Sequence, residues 1–156
     1  FSRKVLVEEF VEGEELEVAV LGSYENVSSS GVGQILSSNE FYDYNAKYLD
    51  GKSMTVMNPD IPDSSAREIK KIAEKAFSII GCYGMARVDF FLTKGRKAIV
   101  NEINTIPGFT SISMYPKLWE QAGIPYSQLL TKLITLAEDR KERYRFELDY
   151  EGANND

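Results

Sequence analysis

The chain has 156 residues, the size of one ordinary domain, and its 43% apolar content is enough to bury a core. A formal charge of −6 excludes the basic footprint of a nucleic-acid binder, and the lack of histidine excludes Ser-His or Cys-His chemistry within the chain. No apolar run is long enough to span a membrane, no signal peptide opens the chain, and the single cysteine, Cys82, excludes an internal disulfide, so cytoplasm is the expected compartment.

In chain order, Val5–Val11 and Leu16–Leu21 are predicted strands joined at Glu12-Gly13-Glu14. The acidic stretch Glu8-Glu9-Phe10-Val11-Glu12-Gly13-Glu14-Glu15 reads, from its residues alone, as a solvated hairpin edge. A third strand is expected over Val32–Leu36. Ser37–Ser53 is polar and aromatic, a loop long enough to serve as a lid. Within it, Phe41-Tyr42-Asp43-Tyr44-Asn45-Ala46-Lys47-Tyr48 sets one lysine among aromatics. A short strand fits Met54–Met57.

Ser65–Ile80 is a predicted helix. Ser65 and Glu68 have capping-box spacing, Ile69, Ile72, Ala73, Ala76, Phe77 and Ile80 make one apolar face, and Gly81 suits the stop. Ala86–Phe91 and Lys97–Val100 are strand-like. Lys117–Ala122 is a short helix ended by Gly123. Pro125 opens a last helix carrying Leu129, Leu130, Leu133, Ile134 and Ala137. Residues 142–156 form a charged tail expected to fray or be disordered. The fold class is α+β: a mostly antiparallel sheet with helices packed on one side. Phe1 is not an initiator methionine, which points to a fragment.

The richest stretch is Asn101-Glu102-Ile103-Asn104-Thr105-Ile106-Pro107-Gly108-Phe109-Thr110. With period 2, Met85, Arg87, Asp89 and Phe91 share one face of the upstream strand, and Ala98, Val100, Glu102 and Asn104 share one face of the next. If Gly95-Arg96 is a two-residue hairpin loop, Asp89 lies opposite Glu102 and Arg87 opposite Asn104. Two carboxylates about 5 Å apart repel by roughly 3 kcal/mol at an effective dielectric near 20. A divalent cation removes the repulsion, and an all-oxygen set of Asp, Glu and Asn suits Mg²⁺ better than zinc. An arginine beside it meets phosphate charge, so the expectation is a Mg²⁺–nucleotide site. A surface hairpin with solvated acids is the plain structural alternative.

These residues, with Pro107-Gly108-Phe109-Thr110-Ser111-Ile112-Ser113-Met114-Tyr115-Pro116, resemble the C-terminal core of the D-alanine–D-alanine ligase family. These are ATP-grasp enzymes of cell-wall peptidoglycan precursor synthesis. The resemblance runs from about Val5 to about Arg140. It makes residues 1–141 the C-terminal half of an ATP-grasp fold, with a mobile loop at about 37–53. It implies ATP and D-alanine as substrates, two Mg²⁺ ions (or Mn²⁺) on Asp89, Glu102 and Asn104, and the reaction D-Ala + D-Ala through an acyl phosphate. Glu8 and Phe10 would line the adenine slot, Glu15 bind ribose, and Phe41 stack on adenine. Lys47 would meet phosphate or substrate carboxylate, and Tyr48 lie near the amino acids. Arg87 and the Gly108 amide would stabilise an oxyanion, while Ser113 and the Met114 amide would hold the second substrate's carboxylate. Tyrosine after the loop lysine favours a dipeptide product, without separating D-Ala from D-Ser. The resemblance also implies N-terminal and central domains that complete the site, without which the fragment is expected to be inactive. It leaves a homodimer open. Another ATP-grasp carboxylate–amine ligase and a non-catalytic nucleotide-binding module are the alternatives.

Overall fold

The computed structural model describes residues 4–23, 25–36 and 54–151. Its elements are β1 (Gly13–Gly22), β2 (Val27–Leu36), β3 (Met54–Met57), α1 (Asp63–Ile79), β4 (Gly84–Thr93), β5 (Ala98–Asn104), α2 (Met114–Gln121) and α3 (Tyr126–Glu151). The described strands pair in the order β3-β2-β1-β4-β5, and every pairing is antiparallel.

β1 is the central strand, and its residues show why. Leu16, Val18 and Val20 point to one face and join Ile69, Ala73 and Phe77 of α1 in one core. Ala19 and Leu21 point to the other and join Met114, Tyr115, Leu118 and Trp119 of α2 and Leu129 of α3 in a second. A strand apolar on both sides needs cover on both sides. The helices therefore flank the sheet, a correction to the expectation that they pack on one side.

The expected strand at Val5–Val11 is also corrected. Residues 4–12 carry no regular structure, and Val5, Leu6, Val7 and Phe10 are each at least 80% exposed. Alternation makes a strand only where a neighbour completes its ladder, and no described strand lies beside this segment. β1 instead starts at Gly13, inside the expected connection. β2 begins five residues before Val32 and includes Ser28, Ser29 and Ser30. Ser30 is buried at a slip in the β1–β2 ladder, where its hydroxyl accepts the Ala19 amide at 3.0 Å and donates to the Gly31 carbonyl at 2.7 Å.

α1 starts at Asp63 behind Pro62, which places Ser65 inside the first turn, buried and not capping. Its end is as expected: Gly81 has φ 67°, its amide reaches the Ser78 carbonyl, and the Cys82 amide reaches that of Phe77, a Schellman stop. Gly123, at φ 87°, ends α2 in the same way. α2 begins at Met114, ahead of the expected Lys117, because Pro116 is tolerated in a first turn. In α3, Leu129 and Leu133 pack while Leu130 and Ile134 are exposed, and the helix continues to Glu151, through part of the stretch expected to fray.

Tyr115 ties α2 to the sheet. It is fully buried, and its hydroxyl donates to the Val20 carbonyl at 3.0 Å. Burial pushes its phenol well above the usual tyrosine range. Tyr115→Phe should cost about 1–1.5 kcal/mol in urea unfolding, the net worth of one buried hydrogen bond.

Candidate active site on the β1–β4–β5 face

The register across β4 and β5 pairs Arg87 with Asn104 and Asp89 with Glu102, as expected. The route to it differs. The loop is Lys94-Gly95-Arg96, three residues, with Arg96 at φ 61° and the Arg96 amide on the Thr93 carbonyl at 2.8 Å. That loop alone pairs Leu92 with Ala98 and Phe90 with Val100. A bulge next to Phe90 then absorbs Asn101 and restores the expected partners for Asp89 and Arg87. The bulge also changes which side chains share a face. Ala98 and Ile103 both pack on the α1 core, so Ala98 does not share the face of Glu102 and Asn104. The expected single face is corrected to two, split at the bulge.

The same ladder adds a carboxylate that the sequence reading missed. Glu17 of β1 lies opposite Asp89, so Glu17, Asp89 and Glu102 form a row across three strands. Glu17 is 3% exposed and Asp89 9%. The signal was present in the sequence as an acid between Leu16 and Val18, in a run apolar on both sides.

Arg87 serves this row. Its Nε donates to Asp89 Oδ1 at 2.7 Å and its Nη2 to Asp89 Oδ2 at 2.6 Å, while Glu17 Oε2 lies 3.3 Å from the same Nε. Asn104 Nδ2 bridges Asp89 Oδ2 at 3.3 Å and Glu102 Oε1 at 2.9 Å. Burial pushes the Asp89 carboxyl above the usual range, reinforced by the Glu102 charge and opposed by Arg87. Burial works against the Arg87 charge, but the Asp89 hydrogen bond and the charges of Glu17, Asp89 and Glu102 outweigh it and hold the guanidinium ionised. Glu15, Glu17, Asp89, Asn101 and Glu102, with Ile35, line a small cleft of about 50 Å³. Larger hollows, each of about 360 Å³, lie against the outer face of α1 and beside Thr110, Lys117 and Tyr126, away from the acidic row.

The donor set fits a hard divalent ion. Among the described residues no group of three His, Cys, Asp or Glu side chains forms a metal cage. Asp89 and Glu102 offer two carboxylates, and Asn104 would add its amide oxygen once the amide turns over from its Nδ2 contacts with them. That partial shell leaves positions for phosphate and water, as Mg²⁺ commonly requires.

Asn104 leads straight into the loop carrying Gly108 and Ser113, and these two meet. A Cβ on Gly108 would stand 3.0 Å from Ser113 Oγ, so glycine permits this approach. Ser113 Oγ accepts the Thr110 amide at 2.9 Å and shares a second 2.9 Å hydrogen bond with the Thr110 hydroxyl, in which either oxygen can donate. Ser113 is the extended residue before α2, so the Met114 amide opens that helix, while the Met114 side chain is buried core. Glu8 and Phe10 lie outside the cluster, on the exposed segment before β1. Phe41, Lys47 and Tyr48 lie outside the described residues.

Known proteins share this sequence and fold. The family profile described as D-ala D-ala ligase C-terminus matches residues 1–135. The D-alanine–D-alanine ligase of Acetivibrio thermocellus is 52% identical over 141 residues, covering 90% of this chain and 37% of the relative. The D-alanine–D-alanine ligase A of Chromobacterium violaceum is 51% identical over 141 residues, covering 90% and 38%. Among solved structures, the D-alanine-D-alanine ligase from Coxiella burnetii superposes with a TM-score of 0.79 at 43% identity, covering 92% of this chain and 37% of that one. VanG D-Ala:D-Ser ligase from Enterococcus faecalis gives 0.72 at 38% identity, covering 82% and 37%. The D-alanine–D-alanine ligase from Bacillus anthracis, solved in complex with ATP, gives 0.70 at 26% identity, covering 87% and 42%. The chain thus spans less than half the length of these relatives. With a profile match over most of its residues and a shared antiparallel fold, the chain belongs to the D-alanine–D-alanine ligase C-terminal family, of the ATP-grasp type.

Proposed function

We propose that this chain supplies the metal- and phosphate-binding half of an ATP-dependent ligase that joins two D-alanines for peptidoglycan precursor synthesis in the cytoplasm. The observation that carries the reading is the pairing of buried Asp89 against exposed Glu102, bridged by Asn104, with Arg87 alongside. Such a pairing is a poor choice for stability and a good one for Mg²⁺ and phosphate. The relatives named for D-alanine ligation, and the ATP-bound Bacillus anthracis ligase, support ATP and D-alanine as the substrates. No helix among the described residues is long and apolar enough to cross a membrane.

In this reading the carboxylate of the first D-alanine attacks the γ-phosphate of ATP. The amine of the second then attacks the resulting acyl phosphate and expels phosphate. Asp89, Glu102 and Asn104 would hold two Mg²⁺ ions, with Glu102 shared, and these would neutralise phosphate charge. Arg87 and the Gly108 amide stabilise the oxyanion of the second step. Ser113 and the Met114 amide take the carboxylate of the second amino acid. Glu15 binds ribose, Glu8 and Phe10 meet adenine once its slot is assembled, Phe41 stacks on the ring, Lys47 meets phosphate, and Tyr48 lies by the amino acids. Closure of the loop that holds these last three excludes water. The N-terminal and central domains complete the clamp.

VanG keeps D-Ala–D-Ser ligation as a second reading. Phosphate release by the full-length protein, with ATP and Mg²⁺, separates the two. Release with D-alanine alone is the expected result. Release only after D-serine is added moves the protein to the mixed-dipeptide branch. No release with any D-amino acid contradicts both.

A further inference from the structure

Glu17 stands in the acidic row with no ligand role in the reading above. At 3% exposure it is more buried than Asp89. A carboxylate taken that far from water costs several kcal/mol unless paired, and between Leu16 and Val18 an apolar residue would serve stability better. It forms an ion pair with Arg87, its Oε2 3.3 Å from Nε, while Asp89 takes the two guanidinium hydrogen bonds. The geometry permits this because Ala19, opposite Arg87, is small. The guanidinium can therefore fold back along its own strand, toward the row.

Engaging a cation would turn Asp89 away from Arg87 and remove both short hydrogen bonds. Glu17 would then be the carboxylate left to hold the guanidinium in place. Charge points the same way, because Glu17 adds a third formal negative charge to the row of Asp89 and Glu102.

We propose that Glu17 is a positioning residue of this site: it binds no ligand itself, anchors Arg87 while Asp89 holds metal, and adds its negative charge to the row. The proposal rests on the metal–nucleotide reading above.

Two variants of the full-length ligase separate charge from shape. Glu17→Gln keeps the shape and loses the charge, while Glu17→Asp keeps the charge and shortens the side chain. Each is titrated with Mn²⁺ in the presence of ADP, followed by electron paramagnetic resonance, with steady-state kinetics alongside. Glu17→Gln should bind Mn²⁺ about tenfold more weakly, the scale of one nearby charge, and lose kcat with KM for D-alanine unchanged. Glu17→Asp should keep Mn²⁺ affinity within about threefold, because the charge remains. The reverse order, or equal losses in both variants, would make Glu17 a packing residue and overturn the proposal. An active parent with an unaffected Glu17→Gln overturns it too. A parent that neither binds Mn²⁺ with ADP nor ligates any D-amino acid would instead sink the ligase reading itself.

Discussion

Arg87→Met should destabilise the fold by about 3–5 kcal/mol at pH 7, the cost of leaving a buried charge without its partner. The methionine roughly matches the arginine stem in length, so little packing is lost. What is lost is the guanidinium that Asp89 binds and that lies 3.3 Å from Glu17. The loss should also depend on pH, with a definite sign. In the native fold the Asp89 carboxyl is held above its ordinary range by burial despite Arg87. A carboxyl raised in the fold favours folding while protonated. Its contribution declines as pH rises from the unfolded value, about 3.9, toward the raised folded value. Removing Arg87 raises that folded value further and widens the window. Urea unfolding followed by Trp119, the single tryptophan, should therefore show a larger gap between wild type and Arg87→Met at pH 7 than at pH 5. An equal gap at both values would mean the variant acts through packing alone.

Glu102→Gln should divide stability from activity. Glu102 faces Asp89 directly, and directly opposed like charges destabilise a strand pair. Removing one should leave stability unchanged or raise it by about 0.5–1 kcal/mol. Activity should move the other way. A ligand that neutralises phosphate charge contributes several kcal/mol in the transition state, so phosphate release by the full-length ligase should fall by about 10²–10⁴-fold. A more stable and nearly inactive variant is the signature of a site held at a cost to the fold. The same assay on Asp89→Asn should show a similar loss of rate. Its stability effect should be less favourable, because the Arg87 hydrogen bonds are weakened. A Glu102→Gln enzyme with normal turnover would leave the row with no role beyond structure.

Most of what the sequence made legible was local or periodic. α1 was readable from its apolar face and its glycine stop, and β1 from its apolar run. The capping box at Ser65 was not realised, because Pro62 sets the start of the helix earlier and Ser65 falls inside the first turn. The strand expected at Val5–Val11 did not form, because periodicity cannot supply a neighbouring strand. The helix placement was mistaken for a related reason. Ala19 and Leu21 give β1 a second apolar face, and that face seats α2 and α3.

The site register is the more instructive case. Asp89 opposite Glu102 was anticipated from a two-residue loop, and the pairing is right for a different reason: a three-residue loop shifts the ladder and a bulge at Asn101 shifts it back. Bulges leave little trace in composition, so the face of Ala98 could not be read correctly. Glu17 escaped because its partners come from β4, far away in sequence. Only the β1–β4 pairing brings it to Asp89 and Arg87.

The proposed metal site is tested most directly by Mn²⁺ binding to the full-length protein with ADP present, compared between wild type and Glu102→Gln. Nucleotide-dependent Mn²⁺ binding in wild type, weakened by at least about tenfold in Glu102→Gln, is the expected result, since a direct ligand is lost. Equal Mn²⁺ affinity in the two proteins would contradict a metal site at Asp89, Glu102 and Asn104.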